Sequence, residues 1–216
     1  MQKTIIFDFD GTIADSIPKN EEILKVFNKI ADENNFKNIT FREIGKLRDV
    51  GLYESITLLK IPFYKIPFIA KRVRKIVKAD ETVSKPIKDM PKILNLLKKK
   101  GYALGIMTSN KKESVEAFLK KHNLEVFDFV YSGSNLFGKD KVLKNLFKKR
   151  KINPKYAIYV GDEIRDIQAT KKIGLAIIAV AWGYNSKKGL LKHKPEYVAE
   201  KPSELKPILS DFFSLD

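Results

Sequence analysis

Apolar residues recur along this chain with two periods, and each change of period marks a new element. Ile5-Ile6-Phe7 is an unbroken apolar run followed by Asp8-Phe9-Asp10-Gly11-Thr12, the pattern of a buried strand that ends in carboxylates. After Asp15-Ser16-Ile17-Pro18, residues Ile23, Phe27, Ile30 and Ala31 fall at helical spacing, which predicts a helix to about Asn35. Thr40-Phe41-Arg42-Glu43 has the Thr-x-x-Glu pattern of a capping box and starts a second helix. Further helices are expected around residues 53–60 and 67–78. Nothing from Pro18 to about Val83 alternates as a strand would.

Beyond that point strand and helix alternate. Asp89 is placed to cap a helix with Pro91 near its first turn and Gly101 after its end. The apolar run at 103–108 predicts a buried strand, followed by a helix at 111–121, a short strand at 129–131 and a helix at 140–149. A strand at 157–160, a helix at 163–173, a strand at 176–181, a short strand at 197–198 and a helix at 202–213 complete the pattern. Strands and helices joined by short turns predict an α/β fold, a parallel doubly wound Rossmann-like sheet. The helical stretch is then a small all-helical insert after the first strand: residues 1–15 and 84–216 form the core, 16–83 the insert.

The chemistry is concentrated where the first strand ends. Residues i and i+2 of a strand point the same way, so Asp8 and Asp10 emerge together at the carboxyl edge, where open α/β sheets bind ligands. Two anions a few ångströms apart repel by roughly 1 kcal/mol even in water, so a chain that needed only a turn would gain by avoiding them. Asp-x-Asp-Gly-Thr arises by chance at about one position in 10⁵ at roughly 6% usage per residue. Gly11 permits a sharp turn and Thr12 adds a hydroxyl beside the acids.

Composition narrows the field. At 216 residues, 44% of them hydrophobic, the chain can bury one sizeable domain with a small insert. No apolar run of about 18 residues occurs and the first strand begins at once, so no membrane span or signal peptide is expected and the expected location is cytoplasmic. Absence of cysteine excludes disulfides and thiolate metal sites, and two isolated histidines, His122 and His193, argue against zinc. The net charge of +16 keeps a polyanion partner such as nucleic acid in view. Yet the lysines fall mostly on helix surfaces and in last turns, as at 98–100 and 148–151, where they complement helix dipoles. The same field would draw in a phosphorylated substrate.

The stretch from Asp8 to Thr12 resembles motif one of the haloacid dehalogenase superfamily, whose phosphatases carry Asp-x-Asp-Gly-Thr at the end of their first strand. The resemblance implies that Asp8 attacks phosphorus to give an aspartyl-phosphate and that Asp10 is the general acid and base. Branches that attack carbon lack the second Asp. Gly161-Asp162-Glu163-Ile164-Arg165-Asp166 is similar to motif four, which implies that Asp162 holds Mg²⁺ with Asp8 and the backbone carbonyl of Asp10, with Asp166 as an outer ligand. Thr108-Ser109 resembles motif two, implying phosphoryl binding by the Thr108 hydroxyl and the Ser109 N–H alongside Gly11 and Thr12. Lys139 is identified as the motif-three lysine, 23 residues before Asp162 as in relatives. Lys141 competes for that role, and Asp140 stands where many relatives have proline.

The helical insert looks like the cap of phosphoglycolate-phosphatase-like members, with Arg42, Lys46 and Arg48 as candidate substrate contacts. The expected activity is Mg²⁺-dependent hydrolysis of a small phosphorylated metabolite. A phosphomutase of the same fold and a non-catalytic polyanion-binding protein are the alternatives, and the oligomeric state is left open.

Overall fold

Ile5, Ile6 and Phe7 are apolar on both strand faces because Thr4–Phe7 (β1) lies in the middle of a parallel sheet covered on both sides. In the computed structural model, residues 2–17, 19–34, 36–69, 72, 84–133 and 138–214 are described. The sheet joins β1 to β4 (Ala103–Thr108), β5 (Phe129–Ser132), β6 (Ala157–Gly161), β7 (Ala176–Val180) and β8 (Tyr197–Ala199) in the order β5-β4-β1-β6-β7-β8. Phe7 pairs with Ile106 of β4 on one side and Val160 of β6 on the other. The chain therefore winds away from β1 in both directions, and the loops leaving β1, β4 and β6 meet at the point of reversal.

Period-two alternation sorts the strand residues between two cores. Ile5, Phe7, Ile158, Val160, Ile178 and Val180 pack against α4 (Met90–Lys99), α5 (Lys112–Lys121) and α9 (Leu205–Ser214). Ile6, Tyr159, Ile177 and Ala179 face α6 (Lys139–Arg150), α7 (Ile164–Lys171) and α8 (Lys187–Lys192). Each of the Ile, Val and Phe side chains contributes about 1.5–3 kcal/mol on full burial, which anchors the central strands from both faces.

The helical stretch carries apolar clusters of its own. Ile30 of α1 (Asn20–Asn34) packs with Ile56 of α3 (Leu52–Leu58), Ile61, Ile66 and Ile69. Ile44 and Leu47 of α2 (Phe41–Arg48) pack with Ile39. The capping box is present as expected: Thr40 accepts from the Glu43 N–H while Glu43 accepts from the Thr40 N–H at 2.8 Å. Of the helix expected at 67–78, residues 70, 71 and 73–78 lie outside the described part.

Three local features depart from the expectations. Asp89 precedes α4 in a left-handed conformation and its side chain makes no cap hydrogen bond; it lies 3.6 Å from the Lys92 ammonium instead. A two-stranded antiparallel ribbon, β2 (Ala14–Asp15) with β3 (Lys85–Pro86), brings the two ends of the helical stretch together. Helix α8 lies where no element was expected, and Ser186 caps it by accepting from the Gly189 N–H.

Candidate active site

Asp8 leaves β1 directly above the point of reversal and is almost wholly buried. Its N–H extends the sheet by donating to the Val160 carbonyl at 2.8 Å, and its Oδ1 accepts from the Phe9 N–H at 2.9 Å. Its Oδ2 accepts from Lys139 Nζ at 2.8 Å. Lys139, the first residue of α6, also ion-pairs with Asp166 and lies 5.3 Å above the Tyr159 ring. Burial works to lower the Lys139 pKa, but Asp166 and Asp8 outweigh it and hold the ammonium well above its ordinary value. Lys141, the competing lysine, is exposed.

Asp162 follows β6 and is 1% exposed. Thr12 Oγ1 donates to its Oδ1 at 2.8 Å and the Tyr184 N–H to its Oδ2 at 2.7 Å. Two glycines make room for it. Gly11 has φ +68°, and a Cβ there would lie 2.9 Å from Asp162 Cγ; one on Gly183 would lie 2.5 Å from the same atom. Asp166, one helical turn on, is fully buried and its Oδ2 accepts from the Glu163 N–H at 3.1 Å.

Oxygens of Asp8, Asp162 and Asp166 all lie within 4.8 Å of one another. Burial raises the pKa of Asp166 to about 6, against the pull of Lys139 and with help from Asp8. Burial, with Glu163 and Asp8 adding, raises Asp162 well above the carboxylate range. One buried lysine cannot offset three desolvated carboxylates, so the cluster suits a further cation. An all-oxygen donor set without His or Cys fits a hard divalent ion.

Asp10 is held by a separate pair of donors. Ser16 Oγ donates to its Oδ1 at 2.7 Å and Asn110 Nδ2 to its Oδ2 at 2.8 Å. Thr108, buried at the end of β4, accepts from the Asn110 N–H at 3.0 Å. A pocket of about 30 Å³ is bounded by Asp8, Asp10, Thr108, Ser109, Lys139 and Arg165. That space suits a group of a few heavy atoms. A cleft of about 360 Å³ opens onto Asp10, Ser16 and Asn110 from the other side.

The expected acids, the lysine and the Thr108-Ser109 turn thus come together, while Thr12 is engaged with Asp162. Arg42 and Lys46 are exposed on α2. Arg48, expected among the substrate contacts, instead donates to the carbonyls of Gly183 at 2.6 Å and Tyr184 at 2.7 Å. Sequence reasoning missed four participants: Asn110, Ser16, Arg165 and Tyr184. Asn110 was the most accessible, since it adjoins Ser109. Arg165 stands inside the fourth motif; it pairs with Glu163 at 2.6 Å, the main cause of its raised pKa. Ser16 and Tyr184 carried no local signal.

Comparison with known proteins gives one consistent result. The family model described as haloacid dehalogenase-like hydrolase matches residues 5–180. A phosphoglycolate phosphatase from Synechococcus elongatus is 29% identical over 204 residues, covering 94% of this chain and 95% of the relative. Pyrophosphatase PpaX from Bacillus mycoides is 28% identical over 219 residues, covering 96% of each. A crystal structure of a predicted phosphatase from Clostridium acetobutylicum shares the fold with a TM-score of 0.78 at 23% identity, covering 97% of this chain and 99% of the other. A haloacid dehalogenase-like family hydrolase from Streptococcus pneumoniae has a TM-score of 0.75 at 23% identity, covering 96% and 98%. Among the described residues no helix is long and apolar enough to cross a membrane.

Proposed function

This chain belongs to the haloacid dehalogenase-like hydrolase family, and on that premise we propose that it is a Mg²⁺-dependent phosphatase that hydrolyses a small phosphomonoester through an aspartyl-phosphate on Asp8. The observation that carries the reading is the seating of Asp8 between one buried ammonium and two further buried acids, at the mouth of a pocket bounded by Thr108 and Ser109. Relatives named as phosphoglycolate phosphatase and pyrophosphatase support a small phosphorylated substrate.

Asp8, Asp162 and the Asp10 backbone carbonyl would hold Mg²⁺, with Asp166 outside them. When bound, the ion supplies positive charge that draws the phosphoryl oxygens toward the nucleophile. Lys139 fixes the Asp8 carboxylate and offsets phosphoryl charge, while Thr108 and the Ser109 N–H receive the remaining oxygens. A bond forms from an Asp8 oxygen to phosphorus as the ester P–O bond breaks, and Asp10 delivers its proton to the departing oxygen. Water then attacks the aspartyl-phosphate, returning a proton to Asp10 and releasing phosphate. The Ser16 hydroxyl can accept as well as donate, so the Asp10 orientation survives either protonation state.

Residues 16–83 would form the cap, hinged at the β2–β3 ribbon, and residues 1–15 and 84–216 the core. Separate apolar clusters and the paired ends of the insert support that division.

The test is phosphate release from a panel of phosphorylated metabolites with Mg²⁺, including phosphoglycolate, pyrophosphate and sugar phosphates. Asp8→Asn should lower kcat by at least about 10³-fold, because nucleophile and metal ligand are lost together. Near-normal turnover by that variant would refute the mechanism, and an isomerised sugar phosphate in place of free phosphate would mark a mutase.

A further inference from the structure

We propose that residues 183–186 form a latch through which docking of residues 48–50 fixes Asp162, making Arg48 a positioning residue for the metal-binding cluster. The inference rests on the reading of Asp162 as a metal ligand given above.

Two successive peptide units carry the connection. The carbonyl of the Gly183–Tyr184 peptide accepts from Arg48 Nη2 at 2.6 Å, and the N–H of the same peptide donates to Asp162 Oδ2 at 2.7 Å. The next peptide accepts from Arg48 Nε at 2.7 Å and donates its N–H, that of Asn185, to the Asp162 carbonyl at 3.2 Å. A guanidinium on a carbonyl oxygen polarises the peptide and strengthens donation from its N–H, so the charge of Arg48 is felt at the Asp162 carboxylate.

Asn185 closes the latch. It is 2% exposed and uses its whole amide: Oδ1 accepts from the Ile164 N–H at 2.8 Å, and Nδ2 donates to the carbonyls of Arg48 at 2.9 Å and Val50 at 3.1 Å. The Ser186 N–H donates to the Arg48 carbonyl at 2.9 Å, and the Ser186 hydroxyl donates to Asp49. Undocking residues 48–50 would strip Asn185 Nδ2 of both of its acceptors. Docked segment and ordered Asp162 therefore stabilise each other, and by reciprocity a cation on the cluster tightens the docking.

Trp182 supplies the readout. It is the single tryptophan of the chain, adjoins Gly183, and its Nε1 donates to the Thr12 carbonyl at 3.3 Å. Mg²⁺ affinity of the full chain, measured by calorimetry and by Trp182 emission, should fall about tenfold or more in Arg48→Gln, the usual range for partners that orient metal ligands. Arg48→Lys should recover part of the loss, since an ammonium reaches one carbonyl rather than both. Lys25→Gln, an exposed cation lost from α1, should match wild type. In the wild-type chain, Mg²⁺ should slow amide hydrogen exchange at Tyr184, Asn185 and Ser186, a measurement that does not depend on a variant folding. Unchanged Mg²⁺ affinity in a folded Arg48→Gln, or exchange indifferent to Mg²⁺, would overturn the latch alone. Failure of the wild-type chain to bind Mg²⁺ would overturn the latch and the metal assignment together.

Discussion

Lys139 offers the sharpest perturbation, because it is a buried cation shared between two acids. Lys139→Met keeps most of the length of the side chain and removes its charge. At 2.8 Å from Asp8 Oδ2, a unit pair attracts by roughly 6 kcal/mol at an effective dielectric constant of about 20. Desolvation cancels part of this, and removing one partner of a buried pair costs about 3–5 kcal/mol in practice. Asp166 can answer by taking up a proton, which caps the cost, so roughly 3 kcal/mol at the reacting centre is the working figure, or about 10² in rate. kcat/KM for an aryl phosphate should therefore drop at least about 10²-fold in Lys139→Met, while Lys141→Met, altered at an exposed position, stays within a few-fold of wild type. Thermal unfolding supplies a second axis. The melting-temperature deficit of Lys139→Met should shrink as pH falls, because Asp166, raised to about 6 by burial, becomes neutral there. Wild-type-like turnover, or a deficit that grows toward low pH, would refute this account of the triad.

Two further outcomes follow from the geometry of the site. Asp10→Asn should slow alkyl phosphates, whose leaving oxygen needs a proton, far more than activated aryl phosphates; equal losses on both would remove Asp10 from the proton path. The pKa of Asp166 near 6 makes metal binding a proton-releasing event below that pH. A raised carboxylate favours the fold while protonated and is a burden once ionised, so in chelator its contribution to stability declines as pH rises from the unfolded value near 4 through about 6. Mg²⁺ should relieve that loss, and calorimetry at pH 5.5 in buffers of different ionisation enthalpy should show proton release. No buffer dependence would place Asp166 outside the coupled cluster.

Periodicity alone determined a great deal. The apolar runs at Thr4–Phe7, Ala103–Thr108 and Ala176–Val180 could be read as buried strands because a central parallel strand must be apolar on both faces. Asp8 and Asp10 were legible because residues i and i+2 at the end of a strand point the same way, and Asp162 and Asp166 because Gly161–Asp166 resembles the family's fourth motif. Lys139 was singled out over Lys141 by the resemblance, 23 residues before Asp162, and the structure places it as the first residue of α6 beside Asp8 while Lys141 is exposed. Features that join distant segments could not be read this way. Ser16 and Asn110, which hold Asp10, and Tyr184, which holds Asp162, lie 6, 100 and 22 residues from the groups they serve. Arg48 was expected among the substrate contacts, and only tertiary packing directed it to the carbonyls of Gly183 and Tyr184, 135 and 136 residues away. Hydrogen-bond partners contributed by backbone carbonyls leave no mark on residue identity, so sequence determined which groups carry charge and tertiary structure decided what holds each of them in place.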